Sequence, residues 1–401
     1  MDSLTQITLG AAMGEAVLGR KVGNRAMLWG AIGGTIPDLD VFANMVTDDV
    51  SALAFHRAIT HSFAFAFITP LLLGWVVYRL YDDRKTFWPD LLRVWLLLAL
   101  LVGVGAIFMP IPPLEVGQIA LAVSAAIILF PAVVWGRRQL RKQKVKPEAT
   151  QRDWSLLFFW SIFTHPLLDS CTTYGTQLFQ PFWDYRVAFN NISVVDPVYT
   201  LPFLLFVLIV LMLNRQHRLR PVFNYIGIGI SSAYMLFTFY NKMQVDRVFE
   251  SSLQRDGITY ERFMTSPTIF NNVLWQGVAE GDTAYYHGMY SILDRKPAVL
   301  SFSVIPKNHH LIEGHEADRA IRILRWFSNG YFSILERPDG QIQLNDLRFG
   351  SMNQSFDRPE DFVFHFILEE KDGELTAHEA WERERDTKGA FSQLWERIKG
   401  I

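Results

Sequence analysis

VYTLPFLLFVLIVLML, residues 198–213, runs for sixteen residues without a charge, and its reading decides what kind of protein this is. A hydrocarbon core of ~30 Å takes about 20 apolar residues per helix, and this run approaches that length. The same character recurs at residues 94–109 and 116–134. Half of the 401 residues are hydrophobic and 19% are charged, whereas a soluble domain carries about 25% charge. Most of the charge lies in a few short loops and after residue 242. The chain therefore reads as an α-helical multi-pass membrane bundle of about 6–8 segments, residues 1–241. A small extracytoplasmic α+β domain with a charged tail, residues 242–401, is expected to follow.

Candidate segments fall at about 7–19, 26–36, 62–80, 93–110, 115–135, 154–169, 198–213 and 222–241. The first two are short and rich in glycine. Basic residues crowd alternate connections: Arg20, Lys21 and Arg25; Arg79, Arg84, Lys85 and Arg93; seven between Arg137 and Arg152; then Arg215, Arg218 and Arg220. Loops rich in Lys and Arg stay in the cytoplasm. The alternation thus turns the connections 37–61, 111–114 and 170–197, and everything after 242, to the outside of the cell (inner) membrane. Beyond 242, residues 269–275, 283–293, 331–335 and 362–368 read as strands and 317–327 as a helix, and the tail from Asp372 reads as helical and exposed.

A net charge of −2 without a basic face excludes nucleic acid as a partner and leaves membrane lipids or lipid-linked small molecules. The single cysteine, Cys171, excludes an internal disulfide and a CxxC metal site. MDSLTQITLG lacks the basic start of a cleavable signal, so the first apolar segment is expected to be part of the fold.

Ionisable side chains near membrane depth are costly and call for a partner or a function. Here they form a pattern. Asp38 and Asp40 stand in IPDLD, His56, Arg57, His61 and Ser62 in HRAITHS, His165 and Asp169 in THPLLDS, and Asp196 in VVDP. All fall at one expected level, on the outward edge. His165 and Asp169 are four apart, on one helical face, and can grip one ion, with Pro166 between them favouring a kinked turn. His56 and His61 are five apart, so both reach one site only if His56 lies in the preceding loop. A mixed set of imidazole and carboxylate ligands favours zinc, with manganese or iron as alternatives. Two ions would also fit the ligand count and suit phosphoester hydrolysis.

Each residue also has a structural reading. Asp38 could cap a helix, Arg57 could pair with Asp40, and Asp196 before Pro197 matches a helix start. Cys171 is a minor candidate for a thiolate ligand, and His309, His310, Glu313 and His315 read as a solvated loop.

The order MDSLTQ, GTIPDLD, HRAITHS, THPLLDSCTTYGT and, much later, DLRFG resembles the YdjM-like family of membrane-bound proteins described as metal-dependent hydrolases. The resemblance implies such a hydrolase, with Asp38, Asp40, His56, His61, His165 and Asp169 at the matched polar positions. Many relatives carry histidine after the early threonine, where this chain has Gln6, which implies a corner that binds water or substrate, or fewer metals. A more distant similarity to zinc-dependent phospholipase C, which uses HxxxD ligand pairs, suggests lipid or phosphoester substrates.

The expected enzyme binds metal through His56, His61, His165 and Asp169. Asp38 or Asp40 serves as a further ligand or general base, and Arg57 holds an anionic oxygen. Gln6, Ser62, Gly175, Thr176 and Asp196 are expected around the substrate. A proton- or ion-coupled transporter would spread such charges through the depth of the bundle, and a non-catalytic scaffold would use them only to lock helices.

Overall fold

A computed structural model describes residues 1–45, 47–81, 148–351, 355–371, 373–380 and 387–400. The chain begins with α1 (Ser3–Val22), whose N-terminus is capped by the Asp2 carboxylate accepting from Thr5 N, and α2 (Asn24–Thr35). The two pack antiparallel with almost nothing between their backbones. A Cβ on Gly10 would strike the Gly30 carbonyl oxygen, and one on Gly14 would strike that of Ala26. Small residues four apart allow this approach, and every glycine in the seam serves it.

A 3-10 segment (Pro37–Met45), α3 (Asp49–Phe55), α4 (Phe63–Tyr81) and α5 (Gln151–Asp169) follow. The start of α5 is fixed by a capping box between Thr150 and Asp153. It is the central helix, in contact with α1, α2, α4 and the 3-10 segment. Trp154, Leu157, Phe158 and Ile162 bury its inner face against Leu18, Trp29 and Ala66. α6 (Pro197–Met212) pairs with α7 (Arg220–Arg255), which runs 36 residues, about 54 Å at 1.5 Å per residue, through residue 242 without a break.

Two four-stranded antiparallel sheets complete the chain, each with its strands in sequential order. The first holds β1 (Arg262–Pro267), β2 (Leu274–Glu280), β3 (Ala284–Ser291) and β4 (Phe302–Pro306). The end of α7 packs on it through Phe249, whose ring fills the space a side chain at Gly277 would need. The second holds β5 (Phe332–Glu336), β6 (Ile342–Asp346), β7 (His365–Lys371) and β8 (Glu374–Glu379), with α8 (Arg319–Phe327) against it. The tail expected to be helical from Asp372 begins as strand β8 and turns helical in α9 (Thr387–Ile398).

The expected bundle of 6–8 crossing segments is overturned. Among the described residues only α4 and α7 are long and apolar enough to cross a membrane. The physical reasons differ by helix. α2 has 12 residues, about 18 Å, and α6 has 16, about 24 Å, both short of ~30 Å. α1 spends its inner face on Gln6, Thr8, Glu15 and glycines, and α5 on Ser161, His165 and Asp169, so polarity within the protein replaces contact with lipid. The segments expected at 93–110 and 115–135 lie outside the described residues. The outward placement of the site and of the sheets rested on the full count of crossings, and it falls with that count.

One basic residue assigned to a cytoplasmic loop is buried instead. Arg220 opens α7 with 1% exposure and makes a two-pronged ion pair with Glu15 of α1, Nε to Oε1 and Nη2 to Oε2, both 2.7 Å. Asn224, one turn on, donates to the Ala12 carbonyl. Removing one partner of a buried pair leaves an uncompensated charge and costs ~3–5 kcal/mol. Arg220→Met should therefore lower thermal stability in detergent sharply, and the double variant with Glu15→Met should recover most of the loss.

Candidate metal centre

Three separate pieces of chain deliver the site. The 3-10 segment brings Asp38 and Asp40, the turn before α4 brings His56, Arg57 and His61, and the last turn of α5 brings His165 and Asp169. His61 Nε2 and His165 Nε2 face each other at 3.1 Å. Asp169 Oδ2 lies 3.2 and 3.3 Å from them, and Asp38 Oδ1 3.5 and 3.3 Å. The four ligand atoms lie within 4.8 Å of one another, with His61, His165 and Asp169 fully buried. Pro166 sits inside α5 and does not prevent the helix from carrying both of its ligands.

The back of each ring decides what the front presents. His165 Nδ1 is 2.6 Å from the Gly34 carbonyl oxygen, which can only accept, so Nδ1 carries the proton and Nε2 a lone pair. His61 Nδ1 lies 3.3 Å from an Asp40 oxygen, which sets the same tautomer. Two imidazole nitrogens and two carboxylate oxygens therefore converge on one largely buried point. Asp169 Oδ2 has no hydrogen-bond partner there. Such a set needs protons or a cation among its members, and nitrogen and oxygen donors held from behind by a carboxylate and a carbonyl fit a divalent metal ion.

Asp40 organises the turn. Its Oδ1 accepts from His56 Nδ1 at 2.8 Å, and its Oδ2 accepts from the Arg57 backbone N–H at 2.8 Å and the Thr60 hydroxyl at 3.1 Å. One buried carboxylate thus gathers His56, Arg57, Thr60 and His61. The turn is tight enough to hold Arg57 at a φ of 59°, a conformation uncommon outside glycine. Burial alone would raise the Asp40 carboxyl, but the charge of His61 and the His56 hydrogen bond hold it far below the usual carboxylate range. Burial lowers His56, outweighing Asp40. His61 goes the other way: burial would lower it, but Asp40, Asp169 and Asp38 push it up to about 10.

The other expected site residues sort by position. His56 stands behind Asp40 and outside the four-ligand group. Arg57 pairs with Asp169 rather than Asp40, Nε to Oδ2 at 3.4 Å, and donates from Nη1 to Thr172 Oγ1. Gln6 donates from Nε2 to Asp169 Oδ1 at 2.9 Å, where the Met1 ammonium also binds. Ser62 caps α4, accepting from Phe65 N and donating to the Ile59 carbonyl. Gly175 adopts a φ of 80° in the loop after α5, and Thr176 joins Val187 in an isolated bridge there. Asp196 caps α6, accepting from Val198 N, Tyr199 N and the Tyr234 hydroxyl. Cys171 is buried and lies outside the ligand group.

Sequence reasoning missed Thr60, Thr172, Gly34 and Tyr174. The hydroxyls sit beside recognised motif residues, but Gly34 acts through a backbone carbonyl that no residue type announces. Tyr174 lies under the Arg57 guanidinium, 4.9 Å from ring to carbon, and edge-on to His56. Removing an outer partner of a ligating histidine typically costs ~10–100-fold in metal affinity. Asp40→Asn should weaken zinc binding by that order in calorimetry, whereas Asp196→Asn should leave it unchanged. Since the proton on His61 must leave before a cation enters, binding should release protons and tighten as pH rises towards 10.

A family model described as YdjM inner membrane protein matches residues 1–109 and 119–245, more than half of the chain, and all four clustered residues lie inside the match. No curated protein and no solved structure matches the chain. The chain therefore belongs to the YdjM inner membrane protein family.

Proposed function

We propose that this membrane protein is a metal-dependent hydrolase whose substrate is a lipid-linked or amphipathic phosphoester. The observation that carries the reading is the buried convergence of Asp38, His61, His165 and Asp169. Zinc suits a set of two imidazoles and two carboxylates, with manganese or iron as alternatives. When bound, such an ion supplies a Lewis acid and lowers the pKa of water beside it. One ion per chain is the stoichiometry favoured, because Asp169 Oδ1 already accepts from Gln6 Nε2, and the described residues hold a single such group.

The remaining roles follow from what each group has free. Asp38 is the one member of the group with solvent access, 17% of its side chain. Its Oδ1 is turned to the two histidines, and its Oδ2 takes the proton of the attacking water. Arg57 forms an ion pair with Asp169 without a hydrogen bond and donates from Nη1 to Thr172 Oγ1, and its Nη2 makes no hydrogen bond among the described residues. A guanidinium held in this way presents a fixed donor to a phosphate oxygen. Asp40 and Gln6 position ligands and touch no substrate. The gathering of these groups at one point supports an enzyme over a transporter, which needs charges along a path.

Incubation of purified protein with a panel of lipid phosphoesters tests the reading. Arg57→Gln should retain bound metal yet lose ~10²–10³-fold in turnover, the scale for removing one charge-stabilising donor. His165→Ala and Asp169→Ala should lose metal and activity together. Unchanged metal in both would exclude the ligand assignment, and a wild type inactive on the whole panel would count against the phosphoester.

A further inference from the structure

The loop that leaves the candidate metal centre carries an aromatic crest that no other element among the described residues covers. Phe182 is 89% exposed, and Trp183, Tyr185 and Phe179 are 57%, 51% and 40% exposed. Exposing such rings to water is unfavourable, since they carry large apolar surfaces. They are also ordered among themselves: Tyr185 stacks on Trp183 at 5.0 Å, and Trp183 meets Phe179 at 5.7 Å.

This crest does not end on itself. Phe179 packs edge-on against Phe63, the first residue of α4, at 5.8 Å, and Phe63 stacks on Phe163 of α5. Phe163 continues to Phe67 of α4, which is 58% exposed beside Ile68 and Leu71. The line of rings thus passes without a gap from the loop tip onto the outer, apolar face of a helix long enough to cross a membrane. Trp and Tyr gather where hydrocarbon meets headgroups, because one end of each is apolar and the other can hydrogen-bond. Of the charges at the tip, Asp184 is exposed, while Arg186 turns inward to the Tyr174 and Gly175 carbonyl oxygens.

We infer that the Phe179–Tyr185 loop is an interfacial anchor, seated in the headgroup layer of the bilayer that α4 crosses. The loop is bolted to the metal centre: Phe63 N donates to the Leu178 carbonyl, and Gln177 N donates to the carbonyl of Arg57. Anchoring therefore sets the depth of Arg57 and Asp169 against the membrane surface and opens the centre to molecules arriving within the lipid layer. This seating holds whether or not the centre hydrolyses anything.

The test is site-directed spin labelling of the full chain in nanodiscs, with labels at Phe182→Cys and, for comparison, Asp339→Cys in an exposed turn between β5 and β6. Cys171 is buried, and unsubstituted protein serves as the labelling blank. The label at 182 should be several-fold more accessible to oxygen than to a water-soluble nickel chelate, with the order reversed at 339. Equal access of the chelate at both positions would overturn the anchor, as would spin–spin broadening at 182 that shows a second copy on the crest. Metal content measured on the same labelled protein keeps this result separate from the fate of the hydrolase reading.

Discussion

Four electron-rich atoms held face to face in a largely buried place are the constraint around which the N-terminal half of this protein is arranged. Two histidine nitrogens and two carboxylate oxygens within 4.8 Å repel one another unless a cation or protons lie between them. The protein keeps them there by fixing the far side of each ring, one to the carbonyl of Gly34 and one to the carboxylate of Asp40. That fixation explains why an interior which could have been wholly apolar holds so many polar groups. It also explains the need for so close a helix pair: Gly34 reaches His165 only because α1 and α2 meet backbone to backbone, which lets α2 lie against α5.

The rest of the architecture holds this arrangement. The Glu15–Arg220 pair ties α1 to the start of α7, and α7 carries on into the first sheet. The second sheet and its helix close against the other side: Arg319 reaches Asp48 and Ser51, and Glu379 N donates to Asp49 of α3, the helix that ends at His56. Arg348, paired within its own turn to Asp346, donates to the Thr173 carbonyl in the loop after Asp169. Sheets and helices therefore grip the two chain segments that flank the clustered His and Asp residues, so substitutions far from the cluster can still move it.

That His61, His165 and Asp169 would come together was legible in the sequence, and for a physical reason, although His56 was expected in the place that Asp38 takes. Imidazoles and carboxylates in apolar surroundings are too costly to occur idly, and the spacing of His165 and Asp169 is that of neighbours on a helix, here 3.3 Å apart. What the sequence did not reveal was the division of labour between neighbours. Whether His56 or His61 points inward depends on the reversed backbone at Arg57, which a carboxylate sixteen or seventeen residues earlier stabilises. The number of crossings was equally illegible, because hydropathy measures whether a helix avoids water and cannot say whether protein or lipid shields it. α1 and α5 show the difference, since both bury polar residues against other helices. In the sheets, β3, β5 and β7 fell close to their expected aromatic runs and the run at 269–275 reached only the start of β2, while β1, β4 and β6 were unmarked and β8, a polar stretch in a charged tail, looked helical.

X-ray absorption spectroscopy of the metal in purified, detergent-solubilised protein tests the centre most directly, because it reads ligand type and distance without any assumption about substrate. One ion per chain is expected, with two imidazole nitrogens at about 2.0–2.1 Å and carboxylate oxygens completing the shell. A tightly bound ion whose shell lacks two imidazoles, or protein that takes up no ion under conditions where it remains folded, would contradict it.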